Sequence, residues 1–126
     1  MSSNTCVLDY LGKDAMEKEL LHGTLEVLIL KTLSWGPMHG FGIGRWIEQL
    51  SGNDLRIEEG SLYPALYRID KKGWVDASWG VSDNGRRAKF YRLTPEGRRQ
   101  LLKNADTWSS FAHAVARVLS AKQQPA

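Results

Sequence analysis

Apolar residues recur at helical spacing in three stretches of the first half of the chain. Between residues 24 and 33 they lie on nearly all sides of a helix, which is typical of a central, buried helix. Before it, Lys13 to Leu21 predicts a short helix that ends near His22-Gly23. His39 to Leu50 predicts a further helix with an inward face of Ile43, Trp46, Ile47 and Leu50. The glycines at 40, 42 and 44 weaken this helix by roughly 1 kcal/mol each relative to alanine, so it must be held by packing or must let another backbone come close.

A third helical pattern begins near Gly60 or Ser61 and continues to about residue 72. Pro64 then falls in the first turn, where its missing N–H costs little. On a wheel of about 100° per residue, the inward positions are all apolar: Leu62, Ala65, Leu66 and Ile69. The outward positions are Pro64, Tyr67, Arg68 and Lys71, with Ser61 and Tyr63 at the exposed N-terminal end. Taken alone, this is the pattern of an ordinary amphipathic surface helix.

After Gly73 the spacing changes to the alternation of strands. Trp74 to Trp79 alternates with Val75, Ala77 and Trp79 on one side, and Ala88 to Leu93 is the return strand. Asp83-Asn84-Gly85 between them is a strong hairpin signal, because Asn and Gly tolerate the positive φ angles that such turns require. Three helices and a hairpin of about residues 74–93 predict a winged helix-turn-helix over residues 13–93. The fold class is therefore mainly α with a small β-hairpin, which we call the wing.

A long amphipathic helix is predicted to complete the chain over residues 94–120. Thr94-Pro95-Glu96 is a favourable helix start, with threonine as the N-cap and proline at the first helical position. Apolar residues then recur at heptad spacing, and Phe111 and Val118 widen the seam: Leu101, Ala105, Trp108, Ala112, Val115 and Leu119. The seam is short for an autonomous coiled coil, so packing against Lys13 to Leu21 competes with self-association. We expect both, with this helix forming a two-fold dimer.

Length and composition indicate one globular domain, with 126 residues of which 42% are hydrophobic and 25% charged. Residues 1–12 and 121–126 are predicted to be a flexible arm and tail. The single cysteine, Cys6, cannot form an intramolecular disulfide, which fits a reducing compartment. Neither a signal-peptide pattern nor an apolar run approaching the ~20 residues of a membrane span is present, so we expect a cytoplasmic protein without membrane contact.

Charge is distributed unevenly along the chain. Residues 1–55 carry 4 basic and 7 acidic side chains, whereas Asn84 to Lys103 carry 7 basic and 1 acidic. Arg86, Arg87 and Lys89 lie at or near the tip of the predicted wing, where they suit a duplex backbone or a minor groove better than an internal salt bridge. Ser61 and the first N–H groups of the third helix can meet phosphate, while Tyr67 and Arg68 reach base edges. Taken alone, the basic patch is equally compatible with a solvated charged hairpin.

Catalytic and metal-binding patterns are not found in the sequence. His22, His39 and His113 are far apart, without a cysteine or carboxylate at metal-ligand spacing, and no nucleophile motif or phosphate-binding loop is present. We therefore expect neither an enzyme nor a metal or other cofactor. The serious alternative to DNA binding is a winged helix that binds another protein, against which the basic wing argues.

Three blocks of sequence resemble a known family: GTLEVLILKTLSWGPMHGFGI (Gly23 to Ile43), EGSLYPALYRIDKKGWV (Glu59 to Val75) and RRAKFYRLTPEGRRQL (Arg86 to Leu101). In this order and with these separations they closely resemble the PadR family of bacterial transcriptional regulators. The resemblance extends over nearly all of residues 20–119, and it is to the short members with a single C-terminal helix. One departure is Gly42, where the family commonly has a polar or acidic residue.

The resemblance implies a dimeric repressor that binds double-stranded DNA. Its third helix would enter the major groove through Ser61, Tyr63, Pro64 and Tyr67, and its wing would contact the adjacent backbone or minor groove through Arg86, Arg87 and Lys89. The helical wheel adds Arg68 and Lys71. A two-fold dimer predicts a pseudo-palindromic operator with half-sites ~34–36 Å apart, or a multiple of this distance.

By its period alone, Trp108 is a core or interface tryptophan. Its position in the segment TWSSF resembles that of a tryptophan that stacks on planar aromatic compounds at the dimer interface in members of the PadR family. The resemblance therefore implies a small aromatic effector, bound in a pocket that Trp108 of each subunit lines.

Overall fold

The computed structural model describes residues 13–125, with side chains described from residue 23 onward. Within this range, four helices and three short strands follow one another: α1 (Lys13–Leu33), β1 (Met38–His39), α2 (Gly40–Leu50), α3 (Glu59–Lys71), β2 (Val75–Val81), β3 (Arg87–Leu93) and α4 (Pro95–Leu119). The expected arm of residues 1–12, with Cys6, and the last residue of the expected tail lie outside the described residues. No described helix has the length and apolar character needed to cross a membrane.

α1 is one continuous helix, so the break predicted at His22-Gly23 was wrong. Glycine inside a helix costs roughly 1 kcal/mol relative to alanine, which is less than the packing of a long apolar face can supply. That packing follows Gly23 directly, since Leu25, Ile29 and Leu30 are inaccessible to solvent. The side chains of residues 13–22, including those expected to pack against the C-terminal helix, lie outside the described part of the structure.

A single hydrophobic cluster joins all the larger elements. α1 contributes its buried leucines and isoleucine, α2 contributes Ile43 and Ile47, and the wing contributes Val75, Tyr91 and Leu93. The inward face predicted for α3 is confirmed, because Leu62, Ala65, Leu66 and Ile69 are all buried in this cluster. Leu50 was wrongly predicted to face inward: it is the last residue of α2, and its side chain lies beyond the edge of the core with 65% of its surface exposed.

The wing is part of a three-stranded antiparallel sheet in the order β1-β3-β2. The short strand β1 was not predicted, and it pairs Met38 with Tyr91 and His39 with Phe90. β2 and β3 pair over their full lengths, from Val75 opposite Leu93 to Val81 opposite Arg87. Because Val75 and Leu93 are buried while Val81 and Arg87 are exposed, the base of the wing lies in the core and its tip projects from it.

The start of α4 is fixed to the base of the wing. Thr94 is its N-cap, as predicted, and the Thr94 Oγ1 atom accepts a hydrogen bond from the Gly97 N–H at 3.0 Å. The same hydroxyl donates to the Gly73 carbonyl at 2.7 Å, and the Thr94 N–H donates to the Trp74 carbonyl at 3.1 Å. Leu101 is the last residue of α4 in the core cluster, so the helix contributes nothing to that cluster after its second turn.

Candidate nucleic-acid interface

The outward side of α3 is open to solvent over most of its length. Pro64, Tyr67 and Lys71 are exposed, and 62% of the Tyr67 surface is accessible. The Lys71 Nζ atom lies 5.5 Å from the centroid of the Tyr67 ring, within the range of a cation–π contact. The two side chains therefore form one amphipathic surface, with a hydrogen-bonding phenol and a cation, that is free to meet a ligand.

The N-terminal end of α3 packs closely against the N-terminus of α2. A Cβ atom added to Gly40 would lie 2.8 Å from Cε1 of Tyr63, so the ring occupies space that any other residue at position 40 would take. Gly42 is covered in the same way by Met38, and Gly44 by Leu62. The glycines of α2 thus admit neighbouring side chains rather than another backbone. Tyr63 remains 44% exposed beside the half-buried Ser61.

His39 has a structural role at this junction. Its Nδ1 atom accepts a hydrogen bond from the Gly42 N–H at 3.0 Å, which caps α2. Its ring also meets the Phe90 ring edge-to-face, with centroids 5.4 Å apart. His39 therefore holds α2 and the wing together.

Arg68 differs most from the sequence-based interpretation. It was placed on the outward face, but its Nε atom donates to Glu26 Oε2 of α1 at 2.8 Å, and Lys72 Nζ donates to Glu26 Oε1 at 3.1 Å. The Nη2 atom of Arg68 is buried without a hydrogen-bond partner in the described structure. The guanidinium therefore ties α3 to α1. The available signal was Glu26 itself, the one acidic residue in the largely apolar stretch from 24 to 33.

Burial also affects the phenol beneath this surface. Burial raises the pKa of the Tyr91 hydroxyl, and the neighbouring Tyr63 and Asp70 raise that pKa further.

The three cations predicted for the wing are all exposed near its tip. Arg86 immediately precedes β3, Arg87 is the first residue of β3, and Lys89 follows two residues later. Gly85 has a φ of 79°, whereas Asn84 does not adopt a positive φ, so the connection is a turn followed by one left-handed glycine. The Ser82 N–H donates to the Arg86 carbonyl at 2.8 Å, and the Arg86 N–H donates to Asn84 Oδ1 at 3.2 Å. These bonds fix the direction in which the tip projects.

The residues predicted for a dimer or effector interface lie along α4. Leu101 is buried and Ala112 is half-buried, whereas the others are exposed. We call the apolar residues beyond Leu101 the apolar stripe: Ala105, Trp108, Phe111, Ala112, Val115, Val118 and Leu119. The Trp108 Nε1 atom donates to Thr24 Oγ1 of α1 at 3.1 Å, and 48% of the indole surface stays exposed. Within the chain, these residues form a surface rather than an enclosed pocket.

A cleft that the sequence did not indicate lies between α2 and the following loop. It has a volume of about 370 Å³ and is lined by Arg45, Glu48, Gln49, Asn53, Leu55 and Arg56. Among the described residues, no cluster of His, Cys, Asp and Glu is arranged to hold a metal ion.

Comparison with known proteins gives a consistent result. Residues 29–103 match the model of the transcriptional regulator PadR-like family. The chain is 30% identical over 101 residues to an uncharacterized protein of Lysinibacillus sphaericus, covering 79% of this chain and 92% of that protein. It is 36% identical over 73 residues to a transcriptional regulator of Mycobacterium tuberculosis, covering 57% and 67% of the two chains. Among solved structures, a PadR-like transcriptional regulator from Bacillus cereus superposes with a TM-score of 0.69 at 26% identity, covering 82% and 99% of the two chains.

Proposed function

The chain belongs to the PadR-like family of transcriptional regulators, and we propose that it is a dimeric repressor in which each subunit binds one half-site of a pseudo-palindromic operator. Its fold is that of winged-helix regulators, and the related proteins of known class are transcriptional regulators rather than enzymes. The observation that carries the proposal is that most of the predicted contact residues are exposed in this fold. They are Tyr63, Pro64, Tyr67 and Lys71 on α3 and all three cations at the wing tip.

α3 is the proposed reading helix. The major groove of B-DNA, about 12 Å wide, admits an α-helix and displays a distinct donor and acceptor pattern for each base pair. Tyr67 and Lys71 would meet base edges, and Pro64 would contact apolar surface such as a thymine methyl group. Ser61 and Tyr63 lie near the N-terminus of α3, where hydroxyls and backbone N–H groups favour phosphate oxygens. Arg68, held by Glu26, would support the helix from behind.

The wing would supply the contact to the neighbouring backbone or minor groove. Three cations at its tip, Arg86, Arg87 and Lys89, would each displace counterions from phosphate. This contribution is mainly electrostatic, so the wing would add affinity and fix the register while α3 reads the base edges.

Assembly into a dimer is supported by the apolar stripe of α4. Its members follow heptad spacing and remain exposed in the single chain, which is the condition for packing against a second copy. A two-fold arrangement would present two α3 helices to successive major grooves, with half-sites ~34–36 Å apart or a multiple of this distance.

A small aromatic effector is the proposed means of release. The Trp108 indole donates to Thr24 through its edge, and nearly half of its surface stays open for a planar compound to stack upon. Binding there, at the proposed interface, would change the distance between the two α3 helices. Titration of planar aromatic compounds should quench tryptophan fluorescence in the wild-type protein but not in Trp108→Ala, and equal quenching in both would contradict the assignment.

DNA binding is tested by the anisotropy of labelled duplexes, first chosen by selection from random sequence, at several salt concentrations. Arg87→Ala should weaken binding to all duplexes and reduce the slope of log affinity against log salt by about one. Tyr67→Ala should instead reduce the preference for the selected site. Lys122→Ala removes an exposed cation outside the proposed interface and should change neither quantity.

Failure of the wild-type protein to bind any duplex at low salt would contradict the proposal and favour a protein-binding winged helix. Repression itself is tested with a reporter gene placed behind the selected site, whose expression should fall when the regulator is supplied.

A further inference from the structure

Trp79 is a large aromatic residue on the wing whose position the core does not explain. It shares a sheet face with Val75 and Ala77, as predicted, but β2 continues beyond the core and leaves 61% of the Trp79 surface exposed. Val81, the next residue on that face, is 70% exposed. An exposed indole and an exposed valine side by side are typical of a surface that contacts another molecule.

The Trp79 ring is in contact with a wing cation. In the sheet register Trp79 faces Lys89, and Val81 faces Arg87, so Arg87 is the diagonal neighbour of Trp79 on the same face. The Arg87 Cζ atom lies 4.5 Å from the centroid of the indole ring. This is within the distance at which a guanidinium is attracted to an aromatic face.

The opposite face of the wing is packed by an aromatic ring of β3. A Cβ atom on Gly80 would lie 3.0 Å from the Phe90 ring, which therefore covers this position, and the same ring meets His39 edge-to-face. Successive strand residues point to opposite faces, so Trp79 and Arg87 lie on the other side of the wing from Phe90. The pair is thus carried on a hairpin whose opposite face is packed by Phe90 and by His39 of the adjacent strand β1.

We propose that Trp79 is a positioning residue for DNA binding, which holds the Arg87 guanidinium stacked and extended so that its edge enters a minor groove. This inference rests on the proposed function. A free arginine side chain samples many rotamers and loses that freedom on binding, whereas a stacked one has lost part of it beforehand. Stacking uses the face of the guanidinium and leaves its in-plane N–H donors available to phosphate or base acceptors.

The expected partner surface is a narrow, A·T-rich minor groove next to the major groove that α3 occupies. Such grooves have an enhanced negative potential that attracts inserted arginine. Lysine would be a poor substitute at position 87, since an ammonium lacks the planar face that stacks on the ring.

The test is a double-mutant cycle measured by anisotropy on the selected duplex, with the salt slope recorded for each variant. Trp79→Ala should weaken binding about three- to tenfold and leave the salt slope unchanged, because no charge is lost. Trp79→Phe should retain most of the affinity. In the Arg87→Ala background, Trp79→Ala should have little further effect, whereas its effect should add to that of Arg86→Ala. The midpoint of thermal unfolding should fall only slightly, since 61% of the Trp79 surface is exposed and the residue lies outside the core.

Two results would overturn the role of Trp79: wild-type affinity in Trp79→Ala, or effects of Trp79→Ala and Arg87→Ala that simply add. If either occurs while Arg87→Ala alone weakens binding, the proposed function stands and only the positioning role fails. If the wild-type protein binds no duplex, both fail together.

Discussion

α3 and the second half of α4 are both amphipathic helices, but they bury their apolar faces differently. In α3 the apolar residues are closed off within the chain, with Ala65, Leu66 and Ile69 fully inaccessible to solvent. In α4 the apolar residues beyond Leu101 remain open, with 66% of Phe111 and 75% of Val118 exposed. The apolar face of α3 is covered by its own chain, whereas the apolar face of α4 is largely left uncovered by the described residues.

This difference separates folding from assembly. Substitutions in the α3 core should act on the free energy of unfolding of a single chain, whatever its concentration. Substitutions in the apolar stripe should act on association and so depend on protein concentration. The comparison can be tested by changes chosen in each region.

The largest effect on folding is expected from the buried face of α3. Leu66→Ala removes a fully buried side chain from the contact of α3 with the core and should reduce the free energy of unfolding by about 2–5 kcal/mol. Urea denaturation followed by circular dichroism measures this change. A reduction of the free energy of unfolding by less than about 1 kcal/mol would be no larger than that of a volume-conserving substitution. Such a result would show that this core does not hold α3 in place.

A smaller effect is expected from the ionic contact between α3 and α1. Glu26→Ala removes the partner of Arg68 and Lys72, leaving the largely buried guanidinium of Arg68 uncompensated, and should cost about 1–3 kcal/mol. Asp54→Ala is the matched control, because this exposed loop carboxylate forms no ion pair within the described residues. Equal stability of the two variants in urea would contradict the supporting role given to Glu26.

The smallest effect on the folding of a single chain is expected from the apolar stripe. Phe111→Gln exchanges an exposed aromatic for a good helix former, so the stability of the separate chain should stay within about 0.5 kcal/mol of the wild type. Association should nevertheless weaken, so the unfolding midpoint of wild type should rise with protein concentration more steeply than that of the variant. Parallel behaviour of the two proteins would argue against this stripe as the interface.

The spacing of apolar residues was sufficient to predict the buried face of α3, because residues on one side of a helix pack against the same core. The start of α4 could be predicted because its N-cap, Thr94, is a local sequence signal. It could not predict contacts between distant residues. The pairing of Glu26 with Arg68 joins positions 42 residues apart, so the sequence interpretation gave the outward position of Arg68 on α3 without its contact with α1.

Other features depend on three-dimensional geometry that the spacing of apolar residues along the chain does not specify. Two residues are too few for β1 to show alternation, and its pairing with β3 is set by the arrangement of the whole sheet. Trp79 has the strand phase of a core residue, but whether it is buried depends on how far β2 extends past the core. The site residues on α3 and the wing were therefore predicted by position, while the stacking of Arg87 on Trp79 required the structure.

The measurement that tests the account most directly is the mass of the full chain in solution, by sedimentation velocity over a range of micromolar concentrations. Because the core is buried within the chain while the apolar stripe of α4 is exposed, we expect one species of twice the chain mass of 14.2 kDa. Addition of a duplex with two half-sites should then give a complex of one dimer per duplex. A free species of 14.2 kDa at every concentration, with the duplex bound by a single chain, would contradict the account.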